Sequence, residues 1–172
     1  EEYIDDGLYF TINRARQFGK TTTLKALYRR LLDRYHVIPI SFEVGGAVND
    51  KVEDFCRNFE FKMSKAGGMT SEQSDFWLNK DKSTSLEELS LKITTYCKLQ
   101  SKPVLLLIDE VDKSTNNQLF LDFLGMLRNN YLDRDINGLN STFHSVILAG
   151  VYDIKNLKLK IRPESEQKYN SP

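Results

Sequence analysis

The chain is poor in the residues that build metal centres and covalent staples. It has two cysteines, Cys56 and Cys97, and two histidines, His36 and His144, in 172 residues. Neither cysteine has a second cysteine or a histidine at ligand spacing, which excludes a zinc ribbon or a disulfide framework. Both fall among the apolar positions of expected helices and read as buried, reduced thiols of a cytosolic protein. The histidines stand at the starts of two expected strands, far apart in sequence, and read as structural or surface residues. Excess charge of one sign is also missing: 24 Lys and Arg balance 24 Asp and Glu. A domain that grips duplex DNA usually carries a basic excess, so nucleic acid is not the indicated partner. No apolar run reaches about 18 residues and no signal peptide stands at the start, so no membrane span is expected and the cytoplasm is the expected compartment. No repeat or low-complexity tract is present.

What is present is the composition of a globular protein, 28% charged and 40% hydrophobic, with a length that suits one α/β domain over residues 1–172. The chain begins without Met and stops at Asn170-Ser171-Pro172 without a closing element, and it reads as a fragment of a longer protein.

Hydrophobic periodicity alternates between two kinds of segment. Leu8 to Ile12 reads as a strand and Asn13 to Gly19 as a polar, basic loop. From Thr21 the period becomes helical, with Leu24, Leu27, Tyr28, Leu31, Leu32 and Tyr35 on one face. Val37 to Phe42 reads as a strand and Gly45-Gly46 as a turn. Val52, Phe55, Cys56, Phe59, Met63 and Ala66 mark a second helix, ended by Gly67-Gly68. Met69 to Lys82 is polar around Phe76 and Trp77 and reads as an insertion with a short helical piece, the two rings packing locally rather than stacking on bases. Thr84 and Ser85, each followed three residues later by Glu, announce another helix through a capping box. Val104 to Ile108 is apolar throughout, the mark of a strand covered on both faces. A helix begins at Asn116, a loop spans Asp133 to Ser141, Phe143 to Val151 is a further buried strand, and Asp153 to Ile161 is weakly helical. Strands alternating with helices predict a parallel sheet between helical layers.

Two constellations carry chemistry. The first is strand, loop, Gly19-Lys20-Thr21, helix. The first turn of a helix has unpaired N–H groups and a partial positive charge, and a glycine before it lets the backbone close around phosphate oxygens. Lys20 then reaches the β- and γ-phosphates and the Thr21 hydroxyl coordinates magnesium. The usual motif opens with glycine where this chain has Arg14. The second is Val104 to Ile108 running into Asp109-Glu110. A buried strand ending in an acidic pair delivers carboxylates to the sheet edge where ligands bind. Asp109 would hold magnesium and Glu110 would polarise an attacking water. Each alone has a plain alternative, a surface Gly-Lys-Thr or a solvated acidic turn; together, in this order, they point to a nucleoside triphosphate, ATP with Mg2+.

The segments Phe10 to Thr21, Pro103 to Asp112 and Ser145 to Asp153 resemble the AAA-like P-loop proteins of bacteria and archaea, a branch near the AAA+ and STAND NTPases. Arg14-x-Arg16-x-x-Gly19-Lys20 is a common form of the loop in that family. The resemblance covers nearly the whole chain and implies a three-layer α-β-α P-loop NTPase fold with a mostly parallel sheet, the later strand lying between the P-loop strand and the acidic-pair strand. A fifth core strand and a helical lid would follow Pro172. The resemblance also implies nucleotide contacts from Arg14, Arg16, Gln17, Phe18, Gly19, Lys20, Thr21 and Thr22, and a γ-phosphate sensor at Tyr152 or Asp153. Arg14 and Arg16 either offset phosphate charge or, for Arg14, pair with a nearby acid to cap the loop. Arg162 either acts as an arginine finger toward a neighbouring subunit or is surface charge beside Lys158 and Lys160. The expected activity is hydrolysis of Mg-ATP that drives a conformational change in attached domains or partners. Alternatives are a switch or scaffold that binds ATP with little turnover, and a small-molecule phosphotransferase. A homo-oligomer and a fused carboxy-terminal domain both remain open.

Overall fold

The computed structural model describes residues 2–13, 20–42, 51–79, 81–111, 118–138 and 141–150. The elements, in chain order, are α1 (Glu2–Asp5), β1 (Phe10–Asn13), α2 (Lys20–Leu31), β2 (His36–Ser41), α3 (Val52–Ser64), α4 (Ser71–Asn79), α5 (Leu86–Leu99), β3 (Val104–Asp109), α6 (Gln118–Leu132), α7 (Arg134–Asn137) and β4 (Ser145–Gly150). The four strands form one sheet in the order β1-β4-β3-β2, and every pairing is parallel. This is the order that the resemblance implies, with the later strand between the first strand and the acidic-pair strand.

β3 explains the layering. Its residues Val104 to Ile108 are all buried, because successive side chains point to opposite faces and both faces are covered. Val104, Leu106 and Ile108 pack with Phe55, Phe59 and Met63 of α3, Leu89, Ile93 and Tyr96 of α5, and Phe120, Phe123 and Leu127 of α6. Leu105 and Leu107 pack on the other face with Ile4 of α1 and Leu24 and Leu31 of α2. The result is a three-layer α-β-α sandwich. Each fully buried Leu, Ile or Phe contributes roughly 1.5–3 kcal/mol. The thicker layer is tied by aromatic contacts, including Phe59 to Phe123 at 4.9 Å and Phe42 to Phe120 at 5.1 Å between ring centroids.

Several expectations are refined. The first strand starts at Phe10, not Leu8, because parallel pairing begins at Phe10↔Ile147. Leu8 instead accepts a hydrogen bond from the Ser145 hydroxyl, and the Tyr9 hydroxyl donates to the Phe143 carbonyl at 2.8 Å. The short helix α1 was not foreseen, and the expected loop from Asp133 contains α7. α3 ends at Ser64, ahead of the glycine pair. Gly68 is needed for the turn that follows: its φ is 82°, and a Cβ there would lie 2.8 Å from the Tyr28 hydroxyl, a place only glycine fits. The polar insertion holds α4, whose Trp77 is fully buried against Phe59, Phe76 and Tyr96, so the expected local packing of the two rings extends into the main core at Trp77. Ser85 caps α5 by accepting from the Glu88 N–H at 3.2 Å, and the Glu88 carboxylate reaches back to the N–H of Thr84 at 2.7 Å. The Thr84 N–H and hydroxyl bonds hold the Glu88 carboxyl below its usual range. The expected turn at Gly45-Gly46, the helix start at Asn116 and the helical tract from Asp153 lie outside the described residues.

At the amino edge of the sheet, Arg134 joins three segments. It donates to the carbonyls of His144 at 2.7 Å and Gly7 at 3.0 Å, and its guanidinium lies 4.0 Å from the centre of the Tyr131 ring. The His144 ring bonds the Ile4 carbonyl at 2.9 Å and stacks on Tyr35, whose hydroxyl donates to Asp5 at 2.7 Å. His36 bonds the Tyr96 hydroxyl at 2.8 Å. Both histidines are structural, as expected. Cys56 and Cys97 are buried free thiols; burial pushes the Cys56 thiol up to about 11, with the Glu60 charge adding to it.

Burial lowers the pKa of both His36 and His144, with the Lys102 charge adding to the effect at His36 and the Arg134 charge at His144. A histidine whose folded pKa lies below its unfolded value takes up its proton more readily when unfolded. Its contribution to stability is therefore complete above about pH 6.5 and is lost as pH falls below that. The urea midpoint should be lower at pH 5.5 than at pH 7.5, a window above the carboxylate range, and a His36→Gln/His144→Gln double variant should flatten the dependence. Equal midpoints for the unmodified chain would contradict this.

A second prediction concerns Glu60, which is 0% exposed and accepts at Oε1 from the Ser83 N–H, the Ser83 hydroxyl and Lys92 Nζ at 3.1, 2.7 and 3.0 Å. Among the described residues its Oε2 makes no hydrogen bond, and it stands 3.8 Å from Lys82 Nζ. Removing one partner of a buried ion pair leaves a charge without compensation and costs roughly 3–5 kcal/mol. Lys92→Met should destabilise the chain by about that much in urea titrations. Adding Glu60→Gln, which keeps an acceptor for Ser83 and removes the charge, should recover most of the loss.

Candidate functional site

Because every strand is parallel, all four carboxyl ends lie along one edge of the sheet. Asn13 pairs with Gly150, the last residues of β1 and β4, and Ser41 pairs with Asp109, the last residues of β2 and β3. The chain leaves β1 at this edge, passes residues 14–19 and enters α2 at Lys20. The 12 residues of α2 span roughly 18 Å and bring the chain back to the amino edge, where His36 pairs with Val104. The amino terminus of α2 therefore stands at the carboxyl edge, on the same side of the sheet as Asp109. Its first turn, formed by the backbone of Lys20, Thr21 and Thr22, presents N–H groups and the positive end of the helix dipole. No acidic residue lies in that turn to compete for an anion.

Asp109 is the first residue of β3 that emerges from burial, and Glu110 beside it is also half-exposed. The Asp109 carbonyl accepts from the Phe42 N–H at 3.2 Å, which ties the end of β3 to the end of β2. The Asp109 Oδ1 accepts from the Glu110 N–H at 2.8 Å. Glu110 has φ of 57°, in the left-handed region, and among the described residues it is the one non-glycine there. Val111, 2% exposed, follows it into the core.

A family model described as AAA-like domain matches residues 1–154. The chain belongs to the AAA-like domain family. No curated protein matches it. Membership of the AAA-like family, with the parallel α/β sandwich, carries a nucleotide-binding, ATPase-like function at the coarse level.

Of the residues expected at the site, the AAA-like fold brings together the backbone of Lys20, Thr21 and Thr22 with Asp109 and Glu110 at one sheet edge. Arg14, Arg16, Gln17, Phe18 and Gly19 lie outside the described residues, as do Tyr152, Asp153 and Arg162. Two positions that sequence reasoning passed over now stand at the site: Asn13 and Ser41, the polar residues that close β1 and β2. A polar residue at each strand end is visible in the sequence, but that Ser41 stands beside Asp109 is set by register.

The donor chemistry fits magnesium bound with a nucleotide. Among the described residues no three His, Cys, Asp or Glu side chains cluster to hold a metal by themselves. Magnesium keeps several waters and takes one or two carboxylates plus substrate phosphates, so a lone strand-end aspartate is the donor that such a site calls for. Among the described residues no helix is long and apolar enough to cross a membrane.

Proposed function

We propose that this chain is the ATP-hydrolysing core of a larger machine. The observation that carries the reading is that a buried strand ends on Asp109-Glu110 at the sheet edge where β1 hands over to α2 at Lys20. Asp109 and the Thr21 hydroxyl are the residues that would hold magnesium, which when bound offsets charge on the phosphates. Lys20 and the N–H groups at the start of α2 bind the β- and γ-phosphates and offset the charge that gathers on them in the transition state. Glu110 orients a water and takes its proton as the water oxygen bonds to the γ-phosphorus. The bond from that phosphorus to the β,γ-bridging oxygen breaks, ADP leaves with the bond's electrons, and Glu110 returns the proton to solvent. Arg14 and Arg16, from the preceding loop, add positive charge over the phosphates. Tyr152 or Asp153, just beyond β4, senses the γ-phosphate. The outcome is a conformational change passed to attached domains or to other subunits.

The deciding assay is phosphate release from Mg-ATP by the full chain with and without substitutions, beside direct binding of the nucleotide. Glu110→Gln should retain binding and lower turnover by roughly 10²–10⁴-fold, the range for losing a general base. Lys20→Ala should weaken binding by roughly 10–100-fold, the value of one charge-assisted contact. Binding without release in any protein would replace hydrolysis by a nucleotide-operated switch. Release only when a small acceptor is added would indicate a phosphotransferase, and no binding at all would refute the central reading.

A further inference from the structure

The end of β3 has a feature that metal binding does not require. Val104 to Ile108 are buried and paired, and Ser41↔Asp109 is the last register position on the β2 side, whereas pairing with β4 stops at Ile108↔Leu148. One residue later the chain turns through Glu110 at φ 57° and buries Val111. Left-handed backbone suits glycine and, less well, asparagine; a glutamate there is strained and persists only where its surroundings hold it. The hydrogen bond from the Glu110 N–H to Asp109 Oδ1, 2.8 Å long, spans this turn. It is an aspartate side chain bonding the next backbone N–H, the local device by which short polar residues stabilise non-repetitive backbone.

We infer that Asp109 is the positioning residue of Glu110: its carboxylate clamps the Glu110 N–H and so holds the backbone in the left-handed turn that sets where the Glu110 carboxylate points. A residue in that conformation leaves the alternation of the strand, so Glu110 does not take the next place on the opposite face from Asp109. The consequence for chemistry rests on the proposed role of Glu110 toward water; the clamp itself does not. Where both hold, the oxygen that fixes Glu110 belongs to the same carboxylate that would hold the cation, and cation capture and orientation of the base are coupled through one side chain.

The test has a structural and a kinetic arm. In the nucleotide-free full chain, Glu110→Gly should be more stable to urea than Glu110→Ala, because glycine takes positive φ without strain. That gap should survive in an Asp109→Asn background, whose amide oxygen can still accept from the N–H, and should shrink in Asp109→Ala. An unchanged gap in Asp109→Ala would assign the turn to burial of Val111 and overturn the clamp, as would no gap at all. Should Asp109→Ala fail to fold, hydrogen exchange of the Glu110 amide in the unmodified chain decides: protection of about tenfold or more over an unbonded amide supports the clamp, and free exchange refutes it. In the kinetic arm, Asp109→Asn should raise the magnesium concentration needed for half-maximal turnover. At saturating magnesium it should exceed Asp109→Ala by roughly 10–100-fold, the penalty of a misplaced catalytic group. Equal turnover of the two would remove the positioning role. Absence of turnover in the unmodified chain would count against hydrolysis and would leave the clamp to be judged by the stability and exchange results.

Discussion

The parallel pairing of β3 between β2 and β4 is the constraint on which the molecule depends. A parallel strand cannot be reached by a tight turn, so each link between strands must carry the chain back across a face of the sheet. That requirement demands helices, and the helices make β3 a strand without a solvent face. Its five buried residues, Val104 to Ile108, alternate between the layer of α3, α5 and α6 and the layer of α1 and α2. Once every strand points the same way, every carboxyl end meets at one edge. Residues far apart in sequence, Asn13, Ser41, Asp109 and Gly150, are brought there by topology alone.

The opposite edge is where that arrangement is secured. Among the described strands β1 pairs only with β4, so the strand that precedes α2 has one hydrogen-bonded neighbour among them. Its amino end is fixed by other means. Arg134 bonds Gly7 and His144 together, Ser145 bonds the Leu8 carbonyl, and His144 bonds Ile4. Gly7 makes the close approach feasible: with φ of 67°, a Cβ there would press on Arg134 and His144 at 3.2 Å. These bonds gather at the amino edge, opposite the edge that holds Asp109 and Glu110.

How far this was legible in the sequence varied with the physics of each segment. β3 and β4 were plain, since a run such as Val104 to Ile108 has no polar residue to spare for solvent. α2, α3 and α5 were equally plain because a half-buried helix writes its face at a spacing of three and four. α1 and α7 are four residues each, too short for a period to show, and they are set by tertiary bonds such as those of Arg134. The ends of β1 were displaced because Leu8 and Tyr9 have strand composition, yet the Leu8 N–H bonds Tyr3, its carbonyl takes the Ser145 hydroxyl and the Tyr9 hydroxyl bonds Phe143, all outside the parallel ladder that begins at Phe10. At the candidate site, Lys20, Asp109 and Glu110 could be singled out because a motif names them. Ser41 was not, since its place beside Asp109 is a matter of register. The left-handed turn at Glu110 was unreadable for a sharper reason: composition there argues against it, and the bond from the Glu110 N–H to the Asp109 carboxylate spans it.

That local conflict has an electrostatic counterpart. A nucleoside triphosphate is a polyanion, and the edge that would receive it already holds two adjacent carboxylates at the end of β3. The first turn of α2 offers a partial positive charge of roughly half a unit, and the cationic side chains expected beside it are Lys20, Arg14 and Arg16. Carboxylates near phosphate raise its binding cost unless a cation stands between them. On the proposed reading the two carboxylates have separate uses. A site that takes its substrate with a divalent ion, and needs a base within reach of water, gains from both.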